Sequence, residues 1–135
     1  MTYQDLTEAI KNGRKTFTGE DLRIQSFYGL DLTDADFSGA DLRGAVFRSS
    51  ELNGTRFYGA DLRGAFFRDS DLKGAFFNGA DLRGALFDEN ILDLTRFAGS
   101  DLRGARSYCC DFSSAIFDGA DLRGTEIGKK EALGH

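Results

Sequence analysis

Bulky apolar residues recur at every fifth position from residue 22 to residue 127, and a small residue usually stands two positions before each. Of these 22 positions, ten are Leu and ten are Phe, with Ser107 and Ile127 as the exceptions. Residues two apart in an extended chain point the same way, so each unit turns one large and one small side chain inward. Because five is odd, the chain must turn between units. Gly two positions after the bulky residue, as at Gly44 and Gly64, suits that corner.

A longer period of twenty residues indicates how many units close one coil. The phrase Asp-Leu-Arg-Gly begins at positions 41, 61, 81, 101 and 121, and Asp21-Leu22-Arg23-Ile24 opens the series with one change. A fifteen-residue coil would stack Leu on Phe, whereas a twenty-residue coil stacks Leu on Leu, Phe on Phe and Arg on Arg. The spacing therefore predicts four sides per coil, with identical side chains in ladders along the rod.

These units resemble the repeats of the pentapeptide repeat family, whose motif is Ala-(Asp/Asn)-Leu-x-x, as in Ala40-Asp41-Leu42-Arg43-Gly44. The resemblance covers residues 15–129. It implies an all-β solenoid, namely a right-handed, four-sided parallel β-helix. At four units per coil, the 22 repeats predict about 5.5 coils.

We expect a single domain, 1–135, with three parts. Residues 1–14 hold a short N-terminal capping helix, because Thr2 and Asp5 have the spacing of a capping box. The β-helix occupies 15–129, and a C-terminal tail follows at 130–135. The helix would cover core side chains and strand edges at one end of the stack.

Two inward positions depart from the pattern. Asn90 places an amide where Ala is usual, and we expect its polar atoms to be hydrogen-bonded. Ser107 replaces Phe, while Phe112 on the next side of the same coil replaces Leu. We interpret this pair as volume compensation, since a deleted aromatic ring alone would leave a costly cavity.

The net charge of −5 is unevenly distributed over the four outer sides. On the first side, which starts at Asp21, a column of Asp lies beside a matching column of Arg. The third side, which contains Leu32, has six acids against Lys73 alone. This predicted acidic side comprises Asp31, Asp34, Glu51, Asp71, Asp93 and Asp111. It is either a solvated face that keeps the rod soluble or a surface for a basic partner.

Val46, Phe66 and Leu86 occupy the same outward column of the second side in three successive coils. They predict a continuous apolar stripe. One interpretation is that neighbouring rungs simply shield each other, as cross-strand pairs do. The other is a docking stripe for a partner or a second copy of the chain.

The residues that enzymes and metal sites need are scarce. The single His stands at position 135, and no Ser/His/Asp or Cys/His arrangement can be argued. We therefore expect no catalysis, no metal and no cofactor. Cys109 and Cys110 should point apart and stay reduced, and the lack of a signal peptide or long apolar run suggests a cytoplasmic protein.

These observations favour a non-catalytic protein-binding or scaffold module, a monomer or weak dimer, and we expect its partner to be another protein of unknown identity. The family resemblance agrees, since many members lack an assigned activity and many come from cyanobacteria. The alternative is DNA mimicry through the acidic side, because some relatives resemble B-DNA and modulate DNA gyrase. Direct nucleic-acid binding is not expected, since the Arg columns are matched by acids.

Overall fold

The chain begins with one helix that joins the core of a stacked β-structure. The computed structural model describes residues 2–127, so the expected tail at 130–135 lies outside the described residues. Helix α1 spans Tyr3–Lys11, and the predicted capping box is confirmed. Thr2 Oγ1 accepts a hydrogen bond from the Asp5 amide, and the Asp5 carboxylate accepts one from the Thr2 amide. Leu6 and Ile10 are buried in the same apolar core as the solenoid.

Five three-residue strands follow, one per coil, all on the second side. They pair in parallel and in chain order, each strand exactly one twenty-residue period from the next. Single bridges repeat with the same spacing on the other three sides. The predicted right-handed, four-sided parallel β-helix is therefore confirmed. The strands are β1 Ser26–Tyr28, β2 Val46–Arg48, β3 Phe66–Arg68, β4 Leu86–Asp88 and β5 Arg106–Tyr108.

The number of turns between paired strands is slightly smaller than the repeats suggest. β1 to β5 spans four complete turns, whereas counting repeats gives about 5.5 coils. The difference arises because units beyond the first and last strands join their neighbours by single bridges. Thr16 pairs with Asp36 in this way at one end, and Asp101 pairs with Asp121 at the other.

Stacked phenylalanine rings fill the core along two sides of the solenoid. Phe27, Phe47 and Phe67 lie in one column with ring centroids 4.4 and 5.0 Å apart and planes nearly parallel. Phe37 and Phe57 belong to the column of the fourth side, which faces the second side across the core, and rings of the two columns meet edge to face. All five rings are fully buried. Both arrangements are favourable for aromatic pairs, by about 0.5–1.5 kcal/mol beyond the burial of area.

A polar ladder explains why the second side forms strands and the others form bridges. At most other corners the amide three residues after the bulky residue donates to that residue's carbonyl, as from Ala45 to Leu42. At the corners that follow the strands, this amide instead donates to a side chain in the next coil. The Leu30 amide donates to Ser50 Oγ at 3.2 Å, and the Ser70 amide donates to Asn90 Oδ1 at 3.0 Å. The corner is thereby held open, and the extended segment is longer.

Asn90 belongs to this ladder, so its predicted role as a satisfied structural amide is confirmed. Its Nδ2 donates to the Phe67 carbonyl at 2.8 Å, an acceptor that corresponds to the one Ser70 Oγ uses one coil earlier. The backbone amide of Asn90 donates to Cys110 Sγ at 3.4 Å, so the ladder ends with a weaker acceptor.

The irregular coil has the geometry that volume compensation requires. Ser107 lies in β5 opposite Phe87, where the ladder would place another ring. Phe112 is buried, and its ring stands edge-on to Phe87 with centroids 6.1 Å apart. The centroids of the Phe112 and Phe117 rings are 5.9 Å apart. The displaced ring thus packs under the column that Ser107 interrupts.

Candidate binding surface

The outer surface of the β1–β5 sheet carries the predicted apolar stripe. Val46 pairs with Phe66, and Phe66 pairs with Leu86, in consecutive strands. All three side chains are partly exposed. A polar residue closes the column at each end, namely Ser26 and Arg106. The structure therefore brings these three residues together as one continuous outward ladder.

A second outward column runs beside the stripe and is mostly charged and aromatic. The Arg48 guanidinium lies 5.8 Å from the centre of the Tyr28 ring, and Arg68 Nε lies 3.8 Å from Asp88 Oδ2 in the next coil. Tyr28 and Tyr108 stand at the two ends of the column and are about half exposed. We call the two columns together the sheet face; it comprises Ser26, Val46, Phe66, Leu86 and Arg106 in one column and Tyr28, Arg48, Arg68, Asp88 and Tyr108 in the other.

The N-terminal end of the sheet face adds residues that the sequence analysis did not single out. Tyr3, Ile24, Tyr28 and Val46 line a shallow pocket of about 520 Å³. Ile24 is 79% exposed and adopts a φ of 60° at a corner. A left-handed φ is a genuine outlier for a β-branched residue. The signal was present in the sequence, because Ile24 stands where the later Asp-Leu-Arg phrases have Gly.

The acidic third side is less continuous than its composition suggests. Asp31, Glu51 and Asp71 pair in register, but the next partner in that column is Ile91, which is half exposed. Lys15 Nζ lies 3.8 Å from Asp31 Oδ1. The pKa of Asp31 is held below its ordinary value chiefly by hydrogen bonding from Thr33, with a smaller contribution from Lys15.

The remaining predicted acids lie outside that paired run. Asp34 occupies a corner with a φ of 60°, and Asp93 lies at an exposed turn. Asp111 accepts a hydrogen bond from the Ser113 amide at 2.8 Å and is exposed. The six acids thus share one side without converging on a common point.

The first side neutralises itself through a continuous ladder of ion pairs. In each coil the Arg forms a two-pronged contact with the Asp two residues before it, and in every coil but the last it also approaches the Asp of the next coil. Arg63, for example, lies 2.7 Å from Asp61 and 3.7 Å from Asp81. At the two ends of the ladder, hydrogen bonds from the neighbouring Arg lower the pKa of Asp21 and of Asp121 to about 2.

The two adjacent cysteines differ in exposure. Cys109 is exposed and Cys110 is partly buried, and both are free thiols. Burial raises the pKa of the Cys110 thiol, which disfavours the nucleophilic thiolate.

Among residues 2–127 no group of three His, Cys, Asp or Glu side chains could hold a metal ion. Within the same residues no helix is long and apolar enough to cross a membrane.

Comparison with known proteins gives a family and a fold. The profile of the pentapeptide repeats, in eight copies, matches residues 26–64, 50–88 and 91–126. No curated protein matches the chain by sequence.

Among solved structures, the chain is similar to a pentapeptide repeat protein, Rfr23, from the cyanobacterium Cyanothece 51142. The TM-score is 0.81 at 17% identity, over 90% of this chain and 97% of that one. It is also similar to alr5209, a pentapeptide repeat protein from Nostoc Pcc 7120, with 29% identity over 93% and 94% of the chains and a TM-score of 0.45. QnrB1, a plasmid-mediated fluoroquinolone resistance protein, gives 21% identity over 84% of each chain and a TM-score of 0.40. The likeness to Rfr23 bears on the fold alone.

Proposed function

The chain belongs to the pentapeptide repeat family, and we propose that it is a non-catalytic scaffold that binds another protein through its sheet face. The observation that carries the proposal is the stripe of Val46, Phe66 and Leu86. Contiguous apolar surface bordered by polar groups is a common mark of a protein interface.

A comparison with the fourth side supports an interface over simple mutual shielding. Phe76 is the matching outward Phe there, and its surroundings cover it. Its ring lies 5.4 Å from that of Tyr58, and the Arg96 guanidinium stands 4.8 Å from its centre. Within residues 2–127, neither a ring nor a guanidinium covers Phe66 in this way. Both rings are partly exposed, so the two positions differ in what lies against them: a phenol ring and a guanidinium beside Phe76, and the aliphatic Val46 and Leu86 beside Phe66.

The electrostatics of the surface support a role without catalysis. General acids and bases are usually recognised by pKa values moved towards neutrality in a cleft. The carboxyl groups of the first side show the opposite shift, as Asp61 and Asp81 do, because each accepts hydrogen bonds from Arg. Their positions on a regular outer surface suit a structural ladder.

DNA mimicry through the acidic side is the second candidate, and charge density argues against it. The side carries six acids and one lysine, a net charge of −5, between Asp31 and Asp111. Those residues are four coils apart, or roughly 19 Å at a strand spacing of about 4.8 Å. A DNA duplex of that length carries about 11 negative charges. A supercoiling assay with purified gyrase tests this alternative, and inhibition lost on reversing Asp71 and Asp93 to Lys would favour it.

Photo-crosslinking tests the proposed binding surface. A photoreactive phenylalanine analogue would replace Phe66 in one sample and Phe76 in a matched control, and cells expressing each would be irradiated. We expect a discrete crosslinked product of higher mass from position 66 and none at that mass from position 76. Equal products from both positions, or none from position 66, would contradict the proposal.

A further inference from the structure

We propose that the sheet face also binds a second copy of this chain, with the two rods antiparallel and related by a two-fold axis parallel to the strands. This inference rests on the proposed function, because it assigns one partner to the same surface. It follows from the order of residues in the two columns of the sheet face.

With a two-fold axis along the strands, each column faces the same column of the other copy, and the coils of the two copies run in opposite order. With the axis at β3, Val46 meets the Leu86 of the second copy and Phe66 meets its own equivalent. In the charged column, Arg48 meets Asp88 of the other chain, and this pair occurs twice. Tyr28 and Tyr108 meet at both ends. The stripe thus covers apolar surface with apolar surface, and opposite charges lie opposite each other.

Two other arrangements of the same face match less well. A two-fold axis along the rod, midway between the two columns, would place Phe66 over Arg68 and Leu86 over Asp88 of the other copy, which sets apolar side chains against charges. Shifting the antiparallel register so that Val46 faces Phe66 would place Arg48 against Arg68 twice, which is repulsive. The arrangement centred on β3 has one like-charged contact, between the two Arg68 side chains. Each of those is close to its own Asp88, at 3.8 Å.

The size of the face predicts a weak, reversible dimer. Five rungs about 4.8 Å apart and three residues wide cover roughly 250 Å² in each copy. Stable interfaces bury about 800 Å² per partner, so we expect an association that forms only at high protein concentration.

A charge-swap experiment on the purified chain tests the antiparallel pairing. Sedimentation equilibrium up to millimolar concentration would be measured for the wild type, Arg48→Asp, Asp88→Arg and the double variant. We expect each single change to weaken dimerisation roughly tenfold, because two attractive pairs become repulsive, and the double variant to recover to within about threefold of wild type. Circular dichroism would confirm that each variant is folded. Unaffected single variants, or a folded double variant that stays monomeric, would overturn the proposal.

Three further variants test the register and separate this inference from the proposed function. Arg68→Gln should tighten the dimer about threefold, since it removes the like-charged contact at the axis, and weakening would contradict the register. Phe66→Glu should abolish dimerisation, while Phe76→Glu on the fourth side should leave it unchanged. A monomeric wild type at millimolar concentration would overturn self-association. The crosslink of position 66 to a different protein in cells would then still stand as the test of the proposed function.

Discussion

Phe66 and Phe67 are neighbours in β3 and chemically identical, yet they lie in two different regions of the molecule. Phe67 is fully buried, with Phe47 and Phe87 stacked at 5.0 and 5.2 Å on its two sides. Phe66 points outward and is partly exposed beside Val46. The alternation of the strand, rather than the side chain, decides which of them supports the fold. The inner column therefore holds the rod together, and the outer column is free to serve binding.

Truncating the two rings should give the largest contrast. Phe67→Ala should lower the free energy of unfolding by about 3–5 kcal/mol, since it opens a cavity in a stacked column. Phe66→Ala should cost about 1 kcal/mol or less, because part of its surface already faces water. Urea unfolding of both variants measures the difference. Equal losses would mean that the outer ladder contributes to stability as the inner one does.

The irregular coil offers a smaller and more specific test of the inner column. Phe112→Leu should lower the melting temperature well beyond Phe47→Leu, because Ser107 supplies no ring to share the space. We expect the difference between the two variants in the free energy of unfolding to be roughly 1–2 kcal/mol. Adding Ser107→Phe to Phe112→Leu should restore much of the loss, since contacting residues are not additive. Equal drops for the two Phe→Leu variants, or no rescue, would contradict the compensation.

Much of this architecture could be predicted from the sequence because a strict period leaves few arrangements. The twenty-residue spacing of Asp-Leu-Arg-Gly predicted the four sides, and the shared column of Val46, Phe66 and Leu86 predicted the stripe. The position of the strands could not be predicted in this way, since the units look alike on every side. It depends on backbone amides that donate hydrogen bonds to the side chains of Ser50, Ser70 and Asn90 in the next coil. Their common column was visible, but its consequence required the geometry.

The exposed pocket at the end of the sheet face was missed for a similar reason. In the sequence, Ile24 is one changed residue in a repeat. That it lines a pocket depends on its backbone angle and on its neighbours, Tyr3 and Tyr28. Whether the sheet face or the acidic side binds a partner also depends on what covers each surface.

Ile24 gives a third test, in which an outward residue costs stability. Ile24→Gly should stabilise the protein by about 1 kcal/mol, because Gly accepts a φ of 60° without strain. Gly44→Ile is the matched reverse change, since a Cβ at Gly44 would meet nothing within 4 Å and φ there is also positive. It should destabilise by a similar amount. Thermal melts of both variants check the pair, and the same sign of change for both would show that strain is not the cause.

Acid titration should distinguish the outer ion-pair ladder of the first side from the uncharged inner columns. The folded-state pKa of Asp21 and of Asp121 is about 2, below the ordinary value of 3.8, because Arg23 and Arg123 donate hydrogen bonds. The stability that these pairs contribute is complete above about pH 4, and it disappears as the pH falls through about 2. We expect a constant melting temperature from pH 7 to 5 and a decline between pH 4 and 2. The decline should shrink at 1 M salt, and a flat profile down to pH 2 would contradict the ladder's role.

Binding through the sheet face is tested by comparing Phe66→Glu with Phe76→Glu as immobilised baits, with bound proteins quantified by mass spectrometry. Both changes place a carboxylate at an equivalent outward position, and thermal melts would first establish that both variants are folded. We expect proteins retained by the wild type to stay bound to Phe76→Glu and to fall at least tenfold on Phe66→Glu. Retention of the same proteins at wild-type levels by Phe66→Glu would contradict the assignment of the sheet face as the binding surface.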